Sequence, residues 1–325
     1  MRAGGWIGLA SALGSAASAF AVRRAFRHDM ADIAARLEAE SELISTDFGP
    51  VEYAREGSGP AALISHGAGG GYDQALFVGR EVLGCEYDII APSRFGYLRT
   101  PVSGTQPPFA QADAYAALLD RLDIDKAIVL GISAGAPSAI ELALRHPGRV
   151  AALILIVPRA FAPGREVEAE DTPPNRAVMA MIMRGADFAF WLGLKVARRT
   201  VLRFLGVPIS VDQAADPLER ARLTRIMCAI QPLSRRVAGI RNDGETKIEP
   251  WPLERIAAPA FLMSAEDDLF GTLPAARFTA EHIEGAELMV VESGGHLLVG
   301  RTDEVRAAVA DFLRRRLAAP RKAAA

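Results

Sequence analysis

Short apolar or alternating segments are interleaved with segments of helical periodicity along most of the chain after residue 41. The former are bounded by Gly, Pro and Ser and predict strands: "LISTDF", "VEYARE", "AALISHG", "YDIIAPS", "AIVL", "VAALILIVP", "APAFLMSAEDD" and "AELMVVESGGH". The first two flank Gly49 and Pro50 and predict a hairpin. Helices are predicted at "PFAQADAYAALLDRL", "APSAIELALRH", "LPAARFTAEHI" and "DEVRAAVADFLRRRL". Because strands alternate with helices, the pattern predicts an α/β fold with a mostly parallel sheet flanked by helices.

The alternation stops between Pro158 and Pro259. Two segments of helical composition stand there instead, "AVMAMIMRGADFAFWLGLKVARRTVLRFLG" and "DPLERARLTRIMCAIQPLSRRV". We therefore predict a helical insertion at residues 158–259, which divides the core into a first part, 42–157, and a second part, 260–317. Its borders, "PGREVEAEDTPPN" and "NDGETKIEPWP", have the Pro-rich and acidic composition of flexible hinges. The basic, Ala-rich residues 318–325 predict a disordered tail.

Residues 1–41 precede this pattern and contain an uncharged stretch, "AGGWIGLASALGSAASAFAV" (residues 3–22), followed by Arg23, Arg24 and Arg27. The stretch is long enough to span a bilayer, and the charges after it would keep the rest of the chain on the cytoplasmic side. Two other interpretations stay open, namely a cleaved signal peptide and an apolar helix or disordered leader. The next segment, "DMADIAARLEAESE", predicts a solvated leader helix. The expected location is the cytoplasmic side of a membrane with residues 3–22 as anchor, or alternatively the soluble cytoplasm.

Composition excludes several classes of function. A net charge of -2 and a pI near 6.3 offer no electrostatic footprint for nucleic acid. Cys85 and Cys228 lie far apart and form no CxxC, so neither a disulfide framework nor a cysteine-based metal site is predicted. The glycine-rich stretch "HGAGGGYD" lacks the Lys-Ser/Thr of a phosphate loop and the Rossmann spacing. We therefore expect no metal, no cofactor and no nucleic-acid partner.

The motif "GISAG" (131–135) stands between the strand "AIVL" and the helix "APSAIELALRH". A strand, a sharp turn and a helix are the context of a nucleophile elbow, in which small glycines let strand and helix approach and the serine hydroxyl is exposed. The alternative is an ordinary turn between a strand and a helix. We identify Ser133 as the candidate nucleophile.

A nucleophilic serine needs an imidazole to take its proton and a carboxylate to orient that imidazole. The chain has five histidines, which are His28, His66, His146, His282 and His296. Only His296, in "SGGHLL", stands in a glycine-flanked loop directly after a strand, where open α/β sheets bind their ligands. The loop "SAEDDLFG" after the preceding strand offers three acids, Glu266, Asp267 and Asp268, and charge alone does not choose among them.

The oxyanion of a tetrahedral intermediate needs two backbone N–H donors, one after the nucleophile and one from a loop after an earlier strand. Ala134 follows Ser133, and "HGAGGGYD" can supply the second donor because its glycines allow close approach of a substrate. Ala68, after the His-Gly pair, is the candidate. His66 is predicted to be structural and to hold this loop by hydrogen bonds.

With these segments in this order, the chain resembles the α/β-hydrolase fold family over roughly residues 42–317. The resemblance implies a serine hydrolase of the capped esterase and C–C hydrolase branch, with the insertion after the sixth strand as its lid. In the family the acid commonly stands three residues after a small residue that closes the strand; with Ala265 as that small residue, the resemblance implies that the acid is Asp268. The chain departs from many relatives in "APSRFGYLRTP", which lacks their Asp and Gly-x-Gly. It also lacks the Pro after His-Gly and the Asp nucleophile of epoxide hydrolases and dehalogenases, which argues against those chemistries.

These expectations favour a Ser-His-Asp enzyme that cleaves a small or medium apolar carboxylic ester through an acyl-enzyme, with a small molecule as its partner. The alternatives are hydrolysis of a C–C bond in a vinylogous diketone, which uses the same triad, and a non-catalytic ligand-binding protein of this fold. The large apolar side chains of the insertion either line an acyl pocket or pack its own core, the second role being preferred; they are Met179, Met181, Met183, Phe188, Phe190 and Trp191.

Overall fold

The computed structural model describes residues 4–164 and 171–317, with side chains from residue 18 onward. The chain divides into two units, Met1–Glu40 and Ser41–Ala325. The predicted disordered tail, 318–325, and part of the first predicted hinge, 165–170, lie outside the described residues.

The first unit contains one helix, α1 (Gly4–Ala39), of 36 residues, which includes both the uncharged stretch and the predicted leader helix. The membrane anchor expected at residues 3–22 is not supported, because no helix within residues 4–164 and 171–317 is both long and apolar enough to cross a membrane. Ala, Gly and Ser make up most of that stretch, which explains its weak apolar character.

The second unit is built on an eight-stranded sheet in the order β1-β2-β4-β3-β5-β6-β7-β8. Its strands are β1 (Glu42–Thr46), β2 (Gly49–Glu56), β3 (Ala61–Ser65), β4 (Asp88–Pro92), β5 (Ala127–Ile132), β6 (Val150–Ile156), β7 (Ala260–Ala265) and β8 (Glu287–Val291). The pairs β1-β2 and β2-β4 are antiparallel, and all others are parallel. The predicted hairpin and the mostly parallel sheet are thereby confirmed.

Helices cover both faces of this sheet: α2 (Tyr72–Leu83), α3 (Pro108–Arg121), α4 (Ala136–Arg145), α11 (Leu273–His282) and α12 (Thr302–Leu317). Leu63 of β3 belongs to the apolar cluster shared with α3 and α4. The next residue, Ile64, contacts α2 at Gly79 on the opposite face, and Phe261 of β7 packs on Phe312 of α12 with ring centroids 5.2 Å apart. Alternate residues of a strand point to opposite faces, which explains the fully apolar strand sequences. The sequence prediction missed α2.

The described part of the insertion between β6 and β7 contains six α-helices: α5 (Pro173–Met183), α6 (Asp187–Val196), α7 (Arg198–Phe204), α8 (Ile209–Ala214), α9 (Pro217–Ala229) and α10 (Val237–Glu245). Four buried residues from different helices, Val178, Phe190, Leu202 and Leu223, pack in one apolar cluster. The predicted helical insertion is therefore present, and it has a core of its own.

Two buried Arg–Asp pairs join α10 and the residue before it to the rest of the unit. Arg94, after β4, donates both terminal guanidinium nitrogens to Asp243 at 2.6 and 2.7 Å. Arg236 donates to Asp73 of α2 at 2.9 Å, and its side chain is fully buried. Burial alone would lower the pKa of Arg94, but the charge of Asp243, the neighbouring Tyr97 and the hydrogen bonds to Asp243 together outweigh it and raise that pKa, so the guanidinium keeps its charge.

Candidate active site

Ser133 stands at the sharp turn between β5 and α4. Its φ is 48°, a left-handed conformation that is uncommon for a residue with a side chain. A 3₁₀ turn, Ser133–Gly135, leads directly into α4. A strained strand-to-helix turn of this kind is the geometry that a nucleophile elbow requires.

The elbow depends on close packing at Gly135. A Cβ atom at this position would lie 2.2 Å from the carbonyl oxygen of Ser65 and 2.6 Å from that of His66. Both atoms belong to the backbone at the end of β3, so they cannot move aside cheaply. The glycine therefore permits the strand carrying the nucleophile to pack beside the β3 loop.

Gly135→Ala is expected to lower the free energy of unfolding by roughly 3 kcal/mol, because an extra methyl group is forced into closely packed backbone. Gly148→Ala is the matched control, since a Cβ there meets no atom within 4 Å. Its expected change is within about 0.5 kcal/mol. Urea unfolding followed by circular dichroism measures both, and equal midpoints and slopes for the two variants would contradict this account of the elbow.

The structure brings Ser133, His296 and Asp268 together. His296 lies in a 3₁₀ turn, Gly295–Leu297, after β8. Its Nε2 is 2.8 Å from Ser133 Oγ, and its Nδ1 is 2.9 Å from Asp268 Oδ2. A carboxylate accepts hydrogen bonds only, so the proton lies on Nδ1 and Nε2 accepts from the serine hydroxyl. The imidazole is thus oriented to remove the Ser133 proton.

Asp268 is held as a carboxylate. It accepts hydrogen bonds from Thr272 Oγ1 and from the N–H of Phe270, in addition to His296. Burial by itself would raise the pKa of Asp268, but the charge of His296 and these hydrogen bonds outweigh it and lower that pKa below its ordinary value. Asp268 therefore stays ionised at neutral pH.

The two neighbouring acids do not contact the imidazole. Glu266 is exposed. Asp267 accepts hydrogen bonds from Ser293 Oγ at 2.9 Å, from Gly294 N at 3.0 Å and from Gly295 N at 2.7 Å. It therefore holds the loop that leads into His296, a role that the sequence did not predict.

Ala68 and Ala134, the two predicted oxyanion donors, line the same cavity as Ser133. Their loops are close together, because a Cβ on Gly67 would lie 3.3 Å from Ser133 Cβ. The N–H of Gly67 donates to Gln74 Oε1 at 2.9 Å, which holds the loop. Residues 68 and 134 thus line the cavity together with Ser133.

His66 holds the loop that contains Gly67 and Ala68. It is fully buried, its Nδ1 contacts Gly67 O at 2.8 Å and its Nε2 accepts from the N–H of Arg94 at 2.9 Å. Burial, and next the charge of Arg94, lower the pKa of His66 well below its usual value. His66 is therefore neutral and holds two loops together, in agreement with the predicted structural role.

A cavity of about 470 Å³ opens at Ser133. Core and insertion both line it, and most of the lining side chains are apolar; those of the insertion include Met179, Ile182, Phe204, Ile226, Ile230 and Ile240. Of the six apolar residues singled out in the sequence, Met179 lines the cavity, while Phe190 and Trp191 are buried. Nothing in the spacing of the four isoleucines distinguishes cavity-facing positions from core positions.

Within residues 4–164 and 171–317, no group of three or more His, Cys, Asp or Glu side chains could hold a metal ion. His146 and His282 do not line the cavity. His146 contacts Asp113 at 2.7 Å at the end of α4, and His282 contacts Phe278 O at 2.8 Å in α11.

Comparison with known proteins agrees with this fold. The sequence model of the α/β hydrolase fold matches residues 60–201. YcgS, an uncharacterized hydrolase of Bacillus subtilis, is 27% identical over 267 residues, which cover 79% of this chain and 92% of YcgS.

Solved structures resemble the chain over most of its length. An alpha/beta hydrolase fold protein from Nakamurella multipartita has a TM-score of 0.62 and 28% identity, covering 84% of this chain and 99% of its own. An esterase from Exiguobacterium antarcticum has a TM-score of 0.62 and 17% identity, covering 85% of this chain and 99% of its own, and shows the fold. Together with the family match, these likenesses support hydrolase activity. The chain has the α/β-hydrolase fold, and the sequence model of that family matches part of it.

Proposed function

We propose that the protein is a serine hydrolase that cleaves small or medium apolar carboxylic esters. The observation that carries this proposal is the continuous chain of hydrogen bonds from Ser133 Oγ through His296 to Asp268, with distances of 2.8 and 2.9 Å, at the wall of an apolar cavity. Nucleophile, base and carboxylate are the three groups that acyl transfer requires.

In acylation, His296 Nε2 takes the hydroxyl proton as Ser133 Oγ attacks the carbonyl carbon of the ester. The negative charge that develops on the carbonyl oxygen is stabilised by the N–H groups of Ala68 and Ala134. The tetrahedral intermediate then expels the alkoxide, which takes the proton from His296 Nε2. An acyl ester on Ser133 and a free alcohol result.

In deacylation, His296 takes a proton from water, and the resulting hydroxide attacks the acyl carbonyl carbon. The second tetrahedral intermediate expels Ser133 Oγ, which regains its proton from His296, and the carboxylic acid leaves. Asp268 fixes the Nδ1–H tautomer in both halves and stabilises the imidazolium without taking its proton. The lowered pKa of Asp268 fits this role.

The cavity supports an apolar acyl or alcohol group. Its apolar lining includes Val78 and Val82 of α2, Ile226 of α9 and Val305 of α12. Its volume, about 470 Å³, lies within the range of small-molecule sites. A substrate of small or medium size would bury its apolar part there with the scissile carbonyl at Ser133.

A panel of p-nitrophenyl esters from acetate to palmitate tests the proposal. Because the volume of the cavity is limited to about 470 Å³, kcat/KM is expected to be highest for butyrate to octanoate and at least about tenfold lower for palmitate. A vinylogous diketone is measured beside the esters. Cleavage of the diketone alone would replace the ester assignment by C–C hydrolysis. If neither substrate is turned over and Ser133 is not covalently labelled, the conclusion would be a non-catalytic ligand-binding protein.

A further inference from the structure

The segment of the insertion that follows α7, residues 205–208, lies against the two loops that carry His296 and Asp268. The carbonyl oxygen of Gly206 accepts a hydrogen bond from the N–H of His296 at 3.0 Å. It also accepts one from the N–H of Leu269, the residue after Asp268, at 3.2 Å. One carbonyl of the insertion therefore joins the loop of the base to the loop of the acid.

Gly206 is closely packed against His296 and Phe270. Gly206 has a φ of +81°, and a Cβ there would lie 2.5 Å from His296 Cβ and 2.6 Å from the Phe270 ring. A Cβ on Gly295 would lie 2.9 Å from Gly206 O. The Phe270 ring contacts the His296 ring edge to face, with centroids 4.5 Å apart. The position of Gly206 and the position of the imidazole are thus set together.

Helix α9 of the insertion holds the same loop beyond His296. Both terminal guanidinium nitrogens of Arg222 donate to Leu297 O at 3.3 Å. Glu219 Oε1 accepts from the N–H of Gly300 at 3.1 Å. Arg222 is itself anchored on Glu81 of α2 at 2.8 Å. The insertion therefore contacts the histidine loop at His296 and on its C-terminal side, while Asp267 holds its N-terminal side.

We infer that Gly206 is a positioning residue for His296, and that the insertion forms part of the frame that aligns the triad as well as covering the cavity. The inference rests on the proposed function. A displacement of about 1 Å in a reacting group costs on the order of 10²-fold in rate. A loop held from only one side would allow such a displacement of the imidazole, so the contacts from the insertion bear on kcat.

Gly206→Ala tests the inference, with Gly185→Ala as matched control. Gly185 also lies in the insertion with a positive φ, +57°, but its nearest neighbour is Ser234 Cα at 3.2 Å, away from the triad. Both variants force alanine into the left-handed region, whereas only Gly206→Ala adds an atom against His296. Gly206→Ala is expected to lower kcat about 10²-fold with KM within about twofold, and Gly185→Ala to change neither by more than about twofold.

A second readout is independent of turnover. The low-field proton NMR resonance of the His296 Nδ1 proton is expected to shift or broaden in Gly206→Ala and to keep its wild-type position in Gly185→Ala. Wild-type kcat and an unchanged resonance in folded Gly206→Ala would overturn the inference. If the wild type shows no Ser133-dependent turnover, the proposed function fails, and the resonance alone decides the positioning role.

Should Gly206→Ala fail to fold, Glu219→Ala provides the same comparison at the other contact. It removes the acceptor of the Gly300 N–H near the protein surface. A severalfold lower kcat with unchanged KM and a broadened His296 resonance is expected. A wild-type resonance and wild-type kcat in this variant would overturn the wider claim that the insertion aligns the triad.

Discussion

Ser133→Ala is expected to abolish covalent labelling by a fluorophosphonate probe and to lower kcat for ester hydrolysis by about 10⁶-fold. The variant removes the only atom that can form the acyl-enzyme and leaves His296 and the cavity in place. Folding should be retained, because alanine faces the same backbone strain as serine at a φ of 48°. Intact-protein mass spectrometry measures the adduct, and circular dichroism checks the fold.

Ser138→Ala is the control for this experiment. Ser138 lies on α4, is buried, and hydrogen-bonds to Ser65 Oγ at 3.0 Å and to Gly135 O. Its removal should leave the probe adduct on Ser133. An adduct on the Ser133→Ala variant would show that the nucleophile is elsewhere and that the elbow has no catalytic role.

Asp268→Asn is expected to lower kcat by about 10⁴-fold. The amide nitrogen of asparagine can donate a hydrogen bond to His296 Nδ1, which places the ring proton on Nε2. His296 then cannot accept the proton of Ser133. The variant keeps the volume of the side chain, so an intact fold with a lost rate separates tautomer control from packing. Steady-state kinetics with a p-nitrophenyl ester measure the loss.

Asp267→Asn is the matched neighbour and should lose at most about tenfold in kcat. Asparagine retains one acceptor oxygen for the N–H groups of Gly294 and Gly295, so the histidine loop keeps part of its anchor. If the two losses are reversed, Asp267 takes the place of Asp268 in the triad. Near-wild-type rates in both variants would mean that another strand supplies the acid.

Much of the candidate site was predictable because the strands that its residues follow are parallel to one another. The loop of Ala68, the elbow of Ser133 and the loops of Asp268 and His296 follow β3, β5, β7 and β8, and these strands run in the same direction. Their carboxyl ends therefore meet at one edge. A glycine motif and a strand end were enough to place each residue on that edge.

Contacts between distant segments were not predictable in this way. Arg94 and Asp243 are 149 residues apart, and nothing in the local pattern around either one identifies the other as its partner. Gly206 acts through a backbone carbonyl, which carries no signature in the sequence. The insertion was interpreted as a cover, and its contacts with His296 could not be inferred from helical periodicity.

Helix α2 was missed for a different reason. Its buried residues, Tyr72, Ala75, Leu76, Gly79, Val82 and Leu83, do have helical spacing. The glycine-rich start of the segment and an internal glycine weaken the local helical propensity. Gly79 is close to Ile89, with 3.0 Å between its would-be Cβ and Ile89 Cγ2, so the residue that weakens the pattern is the one that lets α2 approach the sheet.

The two buried Arg–Asp pairs determine which wall of the cavity can move when substrate enters. Lifting α10 would separate Arg94 from Asp243 and Arg236 from Asp73, and each broken buried pair costs about 3–5 kcal/mol. Helix α5, which contributes the partly exposed Met179 to the lining, carries no comparable buried charge pair within the described residues. We therefore expect substrate to enter and products to leave past α5, while α10 stays in place.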